Sequence, residues 1–171
     1  TENRECYVNV KIVGENGEEI RSVPWREYFL GVLALELPEK KETEFCKAQA
    51  VLIRTKLYEE LNRKQIAGED LILTDRYLSM EELEQKGGED YKTYYKELRR
   101  AMEETENQIL LYQGSYAWTP FHQSSNGMTR SAQEVTGEES FPYLAVRECP
   151  SDKEANDEMQ ILELPYKEVQ T

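Results

Sequence analysis

The chain has 171 residues, with 21 Lys and Arg against 34 Asp and Glu, a formal net charge of −13 and a pI near 4.7. Its length suits one domain with a sizeable core. Hydrophobic residues make up 39% and aromatics 10%, which excludes a globally disordered chain. The acidic average field repels polyanions, excluding wholesale nucleic-acid binding. No apolar run reaches the ~18 residues of a membrane-spanning helix. The opening Thr1-Glu2-Asn3-Arg4-Glu5 has no secretory-signal pattern and no initiator Met, so an upstream anchor or signal is expected to be missing. Cys6, Cys46 and Cys149 include no CxxC pair, which argues against a disulfide scaffold or zinc ribbon and leaves the redox compartment open.

Cys6, Val8, Val10 and Ile12 alternate with Tyr7, Asn9 and Lys11, the pattern of a half-buried strand. Gly14-Glu15-Asn16-Gly17 suits a reversal, so Glu18 to Val23 should return as the second arm of a hairpin. Pro24 fits the first position of a helix from Trp25 to about Leu37. Tyr28, Phe29, Val32, Leu33 and Leu37 follow helical spacing there, and Pro38 stops the run. A second helix is expected from about Thr43 to Asn62, with Phe45, Ala48, Val51, Leu52 and Thr55 on one face. Asp70 to Asp75 reads as a short extended stretch, Met80 to Lys86 as a brief helix broken by Gly87-Gly88, and Tyr91 to about Asn107 as a third long helix. Extended segments follow at Ile109 to Tyr112, Ala117 to His122 and Phe141 to Cys149, with a polar loop at Ser124 to Arg130. Residues 151–158 read as an acidic linker before a last short strand at Met159 to Leu164. Strands, then helices, then strands predict a single α+β domain over residues 1–171, with a mixed or antiparallel sheet and two to three longer helices lining a groove.

Helical spacing sets Glu36 four residues after Val32 and three after Leu33, at the edge of the apolar face near the helix end. Such a partly dry position suits a general acid. A solvated last-turn residue, or a carboxylate paired with Lys47 or Arg54, satisfies the same spacing. Lys47 and Arg54 lie two turns apart and project from one side of the second helix, while Gln49 and Thr55 interrupt its apolar flank. Buried polar groups need partners, so these residues either stitch the helix to its neighbours or face a cleft as donors. The run His122-Gln123-Ser124-Ser125-Asn126-Gly127-Met128-Thr129 carries hydroxyl and amide groups suited to sugar hydroxyls and acetamides; a Ser/Asn/Gly loop is also an ordinary turn. A Ser-His hydrolase is disfavoured, because there is no GxSxG elbow and no acid placed to orient His122.

Three stretches together resemble the stage II sporulation protein D family (SpoIID/LytB domain). They are Val23-Pro24-Trp25-Arg26-Glu27-Tyr28-Phe29-Leu30-Gly31-Val32-Leu33-Ala34-Leu35-Glu36-Leu37-Pro38, Lys47-Ala48-Gln49-Ala50-Val51-Leu52-Ile53-Arg54-Thr55, and Ser124-Ser125-Asn126-Gly127-Met128-Thr129. Glu134-Val135-Thr136-Gly137 and Pro142-Tyr143-Leu144 extend the likeness, so that the motif-bearing part covers about 23–146. The resemblance implies a lytic transglycosylase acting on peptidoglycan glycan strands that lack stem peptides. It implies an extracytoplasmic place of work, reached through the upstream anchor, and a cell-wall amidase as companion. Glu36 maps onto the catalytic acid, and the substrate-binding candidates are Lys47, Gln49, Arg54, His122, Ser124, Ser125, Asn126 and Thr129. No cofactor is implied. Several members carry a His/Cys metal site between the second helix and the Ser-rich loop, but here no Cys or His lies between Tyr58 and Trp118, so no metal is expected. The Ser-Gly-Gly of the family is Ser125-Asn126-Gly127-Met128 here, which admits a second reading: a catalytically silent member that binds glycan or scaffolds a wall-remodelling complex. A cytosolic acidic protein using its charged helices for partner contacts is the remaining one. The Glu36 helix and the Lys47–Arg54 helix are expected to form one wall of the groove and the Ser124–Thr129 loop the other. Trp25, Tyr116 and Trp118 are available either to stack on sugar rings or to pack.

Overall fold

The alternation at the start of the chain becomes a hairpin. β1 (Tyr7–Gly14) pairs antiparallel with β2 (Gly17–Pro24), Val10 opposite Arg21 and Gly14 opposite Gly17, in a computed structural model that describes residues 6–14, 17–37, 42–121 and 125–154. Val10 is fully buried, and Val8 and Ile12 share its face, whereas Tyr7 and Val13 are exposed. Pro24 is therefore the last residue of a strand rather than the first of a helix. A two-residue strand, β3 (Ile72–Leu73), adds to β1 in parallel, giving the order β2-β1-β3. Parallel addition needs a long crossover, and the two helices between β2 and β3 supply it.

The first of those helices, α1 (Trp25–Glu36), starts where the Trp25 N–H donates to the Cys6 carbonyl at 2.7 Å. Its spacing suggests a one-sided helix, yet every residue from Tyr28 to Ala34 is buried. A helix that is apolar all round is one its neighbours enclose. The β1–β2 hairpin, α2 (Thr43–Ala67), α3 (Met80–Gly87) and α4 (Tyr91–Glu104) all pack on it. Gly31 permits the closest approach: the Leu78 N–H donates to its carbonyl at 3.2 Å, and a Cβ at position 31 would lie 2.2 Å from the Leu78 carbonyl oxygen. On the neighbouring turn, the Tyr28 hydroxyl donates to the Asp75 carbonyl at 3.2 Å. Burial, reinforced by the Asp75 charge, pushes that phenol well above its usual range.

The helix ends differ from the sequence pattern in ways that capping explains. α2 runs past the expected Asn62 to Ala67 and stops on Gly68, whose φ of 70° is left-handed. The Gly68 and Glu69 N–H groups then return to the Gln65 and Lys64 carbonyls at 3.2 and 2.9 Å. α3 begins with a reciprocal box between Ser79 and Glu82 and passes through a 3-10 turn (Gly88–Asp90) into α4. α4 stops short of the expected Asn107, which instead takes a φ of 64°. β4 (Leu111–Tyr112) and β5 (Ser115–Tyr116) form a small hairpin around Gln113 and Gly114, both at positive φ. From Ala117 to Phe121, expected to be extended, there is no regular element.

The chain divides into two compact units, Thr1–Thr119 and Pro120–Thr171. The second holds α5 (Ala132–Thr136) and α6 (Pro150–Glu154). α5 carries a Ser131–Glu134 capping box and closes on Gly137 at φ 77°. α6 occupies the start of the stretch read as an acidic linker. Phe141 to Cys149, expected to be extended, holds a turn at Pro142-Tyr143 and one antiparallel bridge, Met128 to Glu148. Outside the described residues lie Glu15 and Asn16 of the hairpin turn, Pro38, His122, Ser124, the rest of the acidic stretch and the expected strand from Met159 to Leu164. The α+β class and the mixed sheet expected from the sequence are what the structure has. No described helix is long and apolar enough to cross a membrane.

Gly31→Ala should lower stability by about 3 kcal/mol, because Leu78 meets the new methyl with its backbone. Urea unfolding measures this; a midpoint equal to that of the parent would contradict the close approach.

Candidate functional site

Glu36 is the last residue of α1 and is half-buried. A helix leaves its final carbonyls without intrahelical partners, and donors from two other helices gather there. The Lys86 ammonium, from α3, donates to the Ala34 carbonyl at 2.6 Å and the Leu37 carbonyl at 3.1 Å. The Tyr94 hydroxyl, from α4, reaches the Ala34 carbonyl at 3.4 Å. Both cations that the sequence offered to Glu36 are engaged elsewhere, and among the described residues no ion pair reaches its carboxyl.

Lys47 bonds Glu44 at 2.8 Å and Glu104 at 2.7 Å. The bond to Glu104, then that to Glu44, holds the ammonium above its usual range, and Lys47 with Arg100 holds Glu104 below its ordinary 4.5. Arg54 is 4% exposed. One of its terminal nitrogens donates to the Thr105 carbonyl at 2.8 Å and the Gln108 carbonyl at 3.2 Å. The other donates to the Met102 carbonyl at 3.1 Å, and both reach the Thr105 hydroxyl at 3.3 Å. The guanidinium also lies 4.9 Å from the centre of the Phe29 ring. Burial lowers the Arg54 pKa from its usual value. The common side of α2 predicted by the seven-residue spacing is therefore real, and it faces the carboxyl end of α4. These contacts are the stitching alternative, realised in detail. Gln49 is buried on the same helix. The Thr55 hydroxyl donates to the Val51 carbonyl at 2.7 Å and accepts the Leu110 N–H at 2.9 Å.

Trp25 packs on Phe29 and Tyr58, with ring centres 5.7 and 5.6 Å apart, and Tyr116 meets Tyr58 edge-on. Trp25, Tyr58 and Arg54 line a cavity of about 310 Å³. It sits at the opposite end of α1 from Glu36, about 16 Å along the axis at 1.5 Å per residue.

In the second unit, the Ser125 N–H and hydroxyl both donate to one carboxylate oxygen of Asp152, at 2.9 and 2.6 Å. The same hydroxyl accepts the Gly127 N–H at 3.2 Å. Thr129 exchanges two bonds with Arg147, its N–H to that carbonyl and its hydroxyl from that N–H, each at 2.8 Å. Both side chains therefore shape the loop, and Asn126 is exposed at its tip. His122 and Ser124 lie outside the described residues. Asp152 escaped the sequence reading because its partner is 27 residues away and its neighbours resemble a solvated acidic run. Among the described residues no three His, Cys, Asp or Glu side chains converge on a metal position.

A family model described as SpoIID, stage II sporulation protein, matches residues 14–112, more than half of the chain. The stage II sporulation protein D of Bacillus amyloliquefaciens is 29% identical over 159 residues, which cover 89% of this chain and 46% of that protein. The protein of the same name from Bacillus subtilis (strain 168) is 29% identical over 155 residues, covering 86% and 45%. The chain thus spans just under half the length of these relatives.

Arg54→Met should cost about 3 kcal/mol in chemical denaturation, since it strands the Thr105 and Gln108 carbonyls; a change below about 1 kcal/mol would contradict the cap. Because the folded pKa of Glu104 is depressed, its contribution is present above the ordinary carboxylate range and is lost as pH falls through the lowered value. Glu104→Gln should accordingly flatten the acid limb of stability against pH, and an unchanged limb would contradict the Lys47 link.

Proposed function

Because the chain belongs to the SpoIID family of stage II sporulation proteins, we propose that it cleaves denuded peptidoglycan glycan strands as a lytic transglycosylase, with Glu36 as acid and base. The observation that carries this reading is the position of Glu36: a half-buried residue at the end of an enclosed helix, its carboxyl left unpaired by Lys47 and Arg54.

In this mechanism the protonated Glu36 gives its proton to the glycosidic oxygen between N-acetylmuramic acid and N-acetylglucosamine. The C–O bond breaks and positive charge spreads over the anomeric carbon and ring oxygen. The carboxylate then takes the proton of the muramyl 6-hydroxyl, whose oxygen attacks the anomeric carbon. The products are a free N-acetylglucosamine hydroxyl and a 1,6-anhydro-muramyl end, and Glu36 is protonated again. The second carboxylate that hydrolases use to activate water or form a covalent intermediate is unnecessary, because the sugar supplies its own nucleophile. The proposed setting is cell-wall remodelling in sporulation, outside the membrane, after an amidase has removed the stem peptides.

Incubation with purified denuded strands and mass spectrometry of the products tests this. Anhydro-muramyl ends should form, and Glu36→Gln should slow their formation by about 10²–10⁴-fold. Equal activity of the Gln variant, or products with only hydrolytic reducing ends, would contradict the reading. Strands bound without turnover would instead mark a silent glycan-binding member, a reading motivated by Ser125-Asn126-Gly127-Met128 standing where the family has Ser-Gly-Gly.

A further inference from the structure

We propose that Lys86 is a positioning residue for Glu36: its ammonium closes the carboxyl end of α1 and fixes the turn from which the acid projects. The inference rests on Glu36 being the catalytic acid.

Among the described residues, α1 has no C-terminal closure of its own. No basic side chain occupies its last turn, and Leu37 leaves the helix in an extended conformation, φ −98° and ψ 139°. The left-handed residue that usually brings following N–H groups back to the last carbonyls is absent there. Proline follows Leu37, and it has no N–H to offer. α2 shows the contrast, since it closes on Gly68 with two returning N–H bonds.

Lys86 fills this gap from α3. Among the described residues its ammonium donates to the carbonyls of Ala34 and Leu37 at 2.6 and 3.1 Å, which bracket Glu36 in the chain. One ammonium bonded to both restrains the backbone on either side of the acid. A cation also suits the negative end of the helix dipole, and charge-assisted bonds are the stronger kind. The donor is itself well placed: α3 starts in the Ser79–Glu82 capping box, buries Leu83, and carries Lys86 in its last turn. Tyr94 adds a weaker bond to the Ala34 carbonyl at 3.4 Å. The mechanism needs this rigidity. One carboxyl must serve the glycosidic oxygen and then the 6-hydroxyl within a single turnover, and it must stay within hydrogen-bond reach of each.

Two measurements on Lys86→Met and Lys86→Arg test the proposal, with Lys92→Met, an exposed position on α4, as the charge control. Amide hydrogen exchange should show the protection of Ala34, Leu35 and Glu36 falling at least about tenfold in Lys86→Met, as a local opening of the turn. On denuded strands, kcat should fall by about 10–100-fold with KM little changed, the cost of a misplaced catalytic group. Lys86→Arg should recover most of both, and Lys92→Met should alter neither. Unchanged protection in Lys86→Met would overturn the closure. Lost protection with unchanged kcat would show a structural bond only and overturn the positioning role. Full activity of Glu36→Gln would remove the acid itself and the positioning role with it, while the exchange result would still report separately on whether Lys86 holds the turn.

Discussion

Every helix must find donors for its last carbonyls, and here two of the longer ones find them in cations from other helices. Arg54 of α2 closes α4 by donating to the Met102, Thr105 and Gln108 carbonyls. Lys86 of α3 closes α1 through Ala34 and Leu37. Buried carbonyls without partners cost more than the hydrogen bonds themselves gain, so these two side chains decide where the helices may end. Arg54 does more, because its guanidinium also lies over Phe29 of α1. A single buried cation thereby relates α1, α2 and α4. Lys47 reinforces the same face from two turns away through Glu104.

Enclosure of α1 follows from that arrangement. With Tyr28 to Ala34 all buried and Gly31 pressed against Leu78, the helix can neither slide nor rotate without breaking packing on several sides. Only its ends reach the surface, Trp25 beside one cavity and Glu36 at the other end. On the proposed reaction, an acid carried on the end of an immobilised helix would suit a long, stiff substrate. Such a site would not need to close around a glycan; it would have only to hold one carboxyl still while the strand lay alongside.

Much of this was legible in the sequence, for identifiable reasons. Period-2 alternation at Val8, Val10 and Ile12 marks the hairpin, and the helical spacing of α1 marks its core residues. The seven-residue interval between Lys47 and Arg54 correctly put them on one side of α2, but spacing says nothing of what that side meets. It meets α4, a contact made across about fifty residues of chain. Local signals also mark element ends: Gly68 stops α2, and Ser131 with Glu134 forms the capping box of α5. Lys86 and Asp152 were not legible at all. Each looks like a surface charge in its own neighbourhood, and each acquires its role from a partner distant in the chain.

The central claim concerns one carboxyl and one bridging oxygen. Its most direct test is a crystal structure of this chain, as Glu36→Gln, with a bound chito-oligosaccharide, read as the distance from the residue-36 side chain to the nearest glycosidic oxygen. The account predicts about 3 Å, hydrogen-bonding distance for a proton donor. A sugar chain seated elsewhere, with residue 36 facing only solvent, would contradict it.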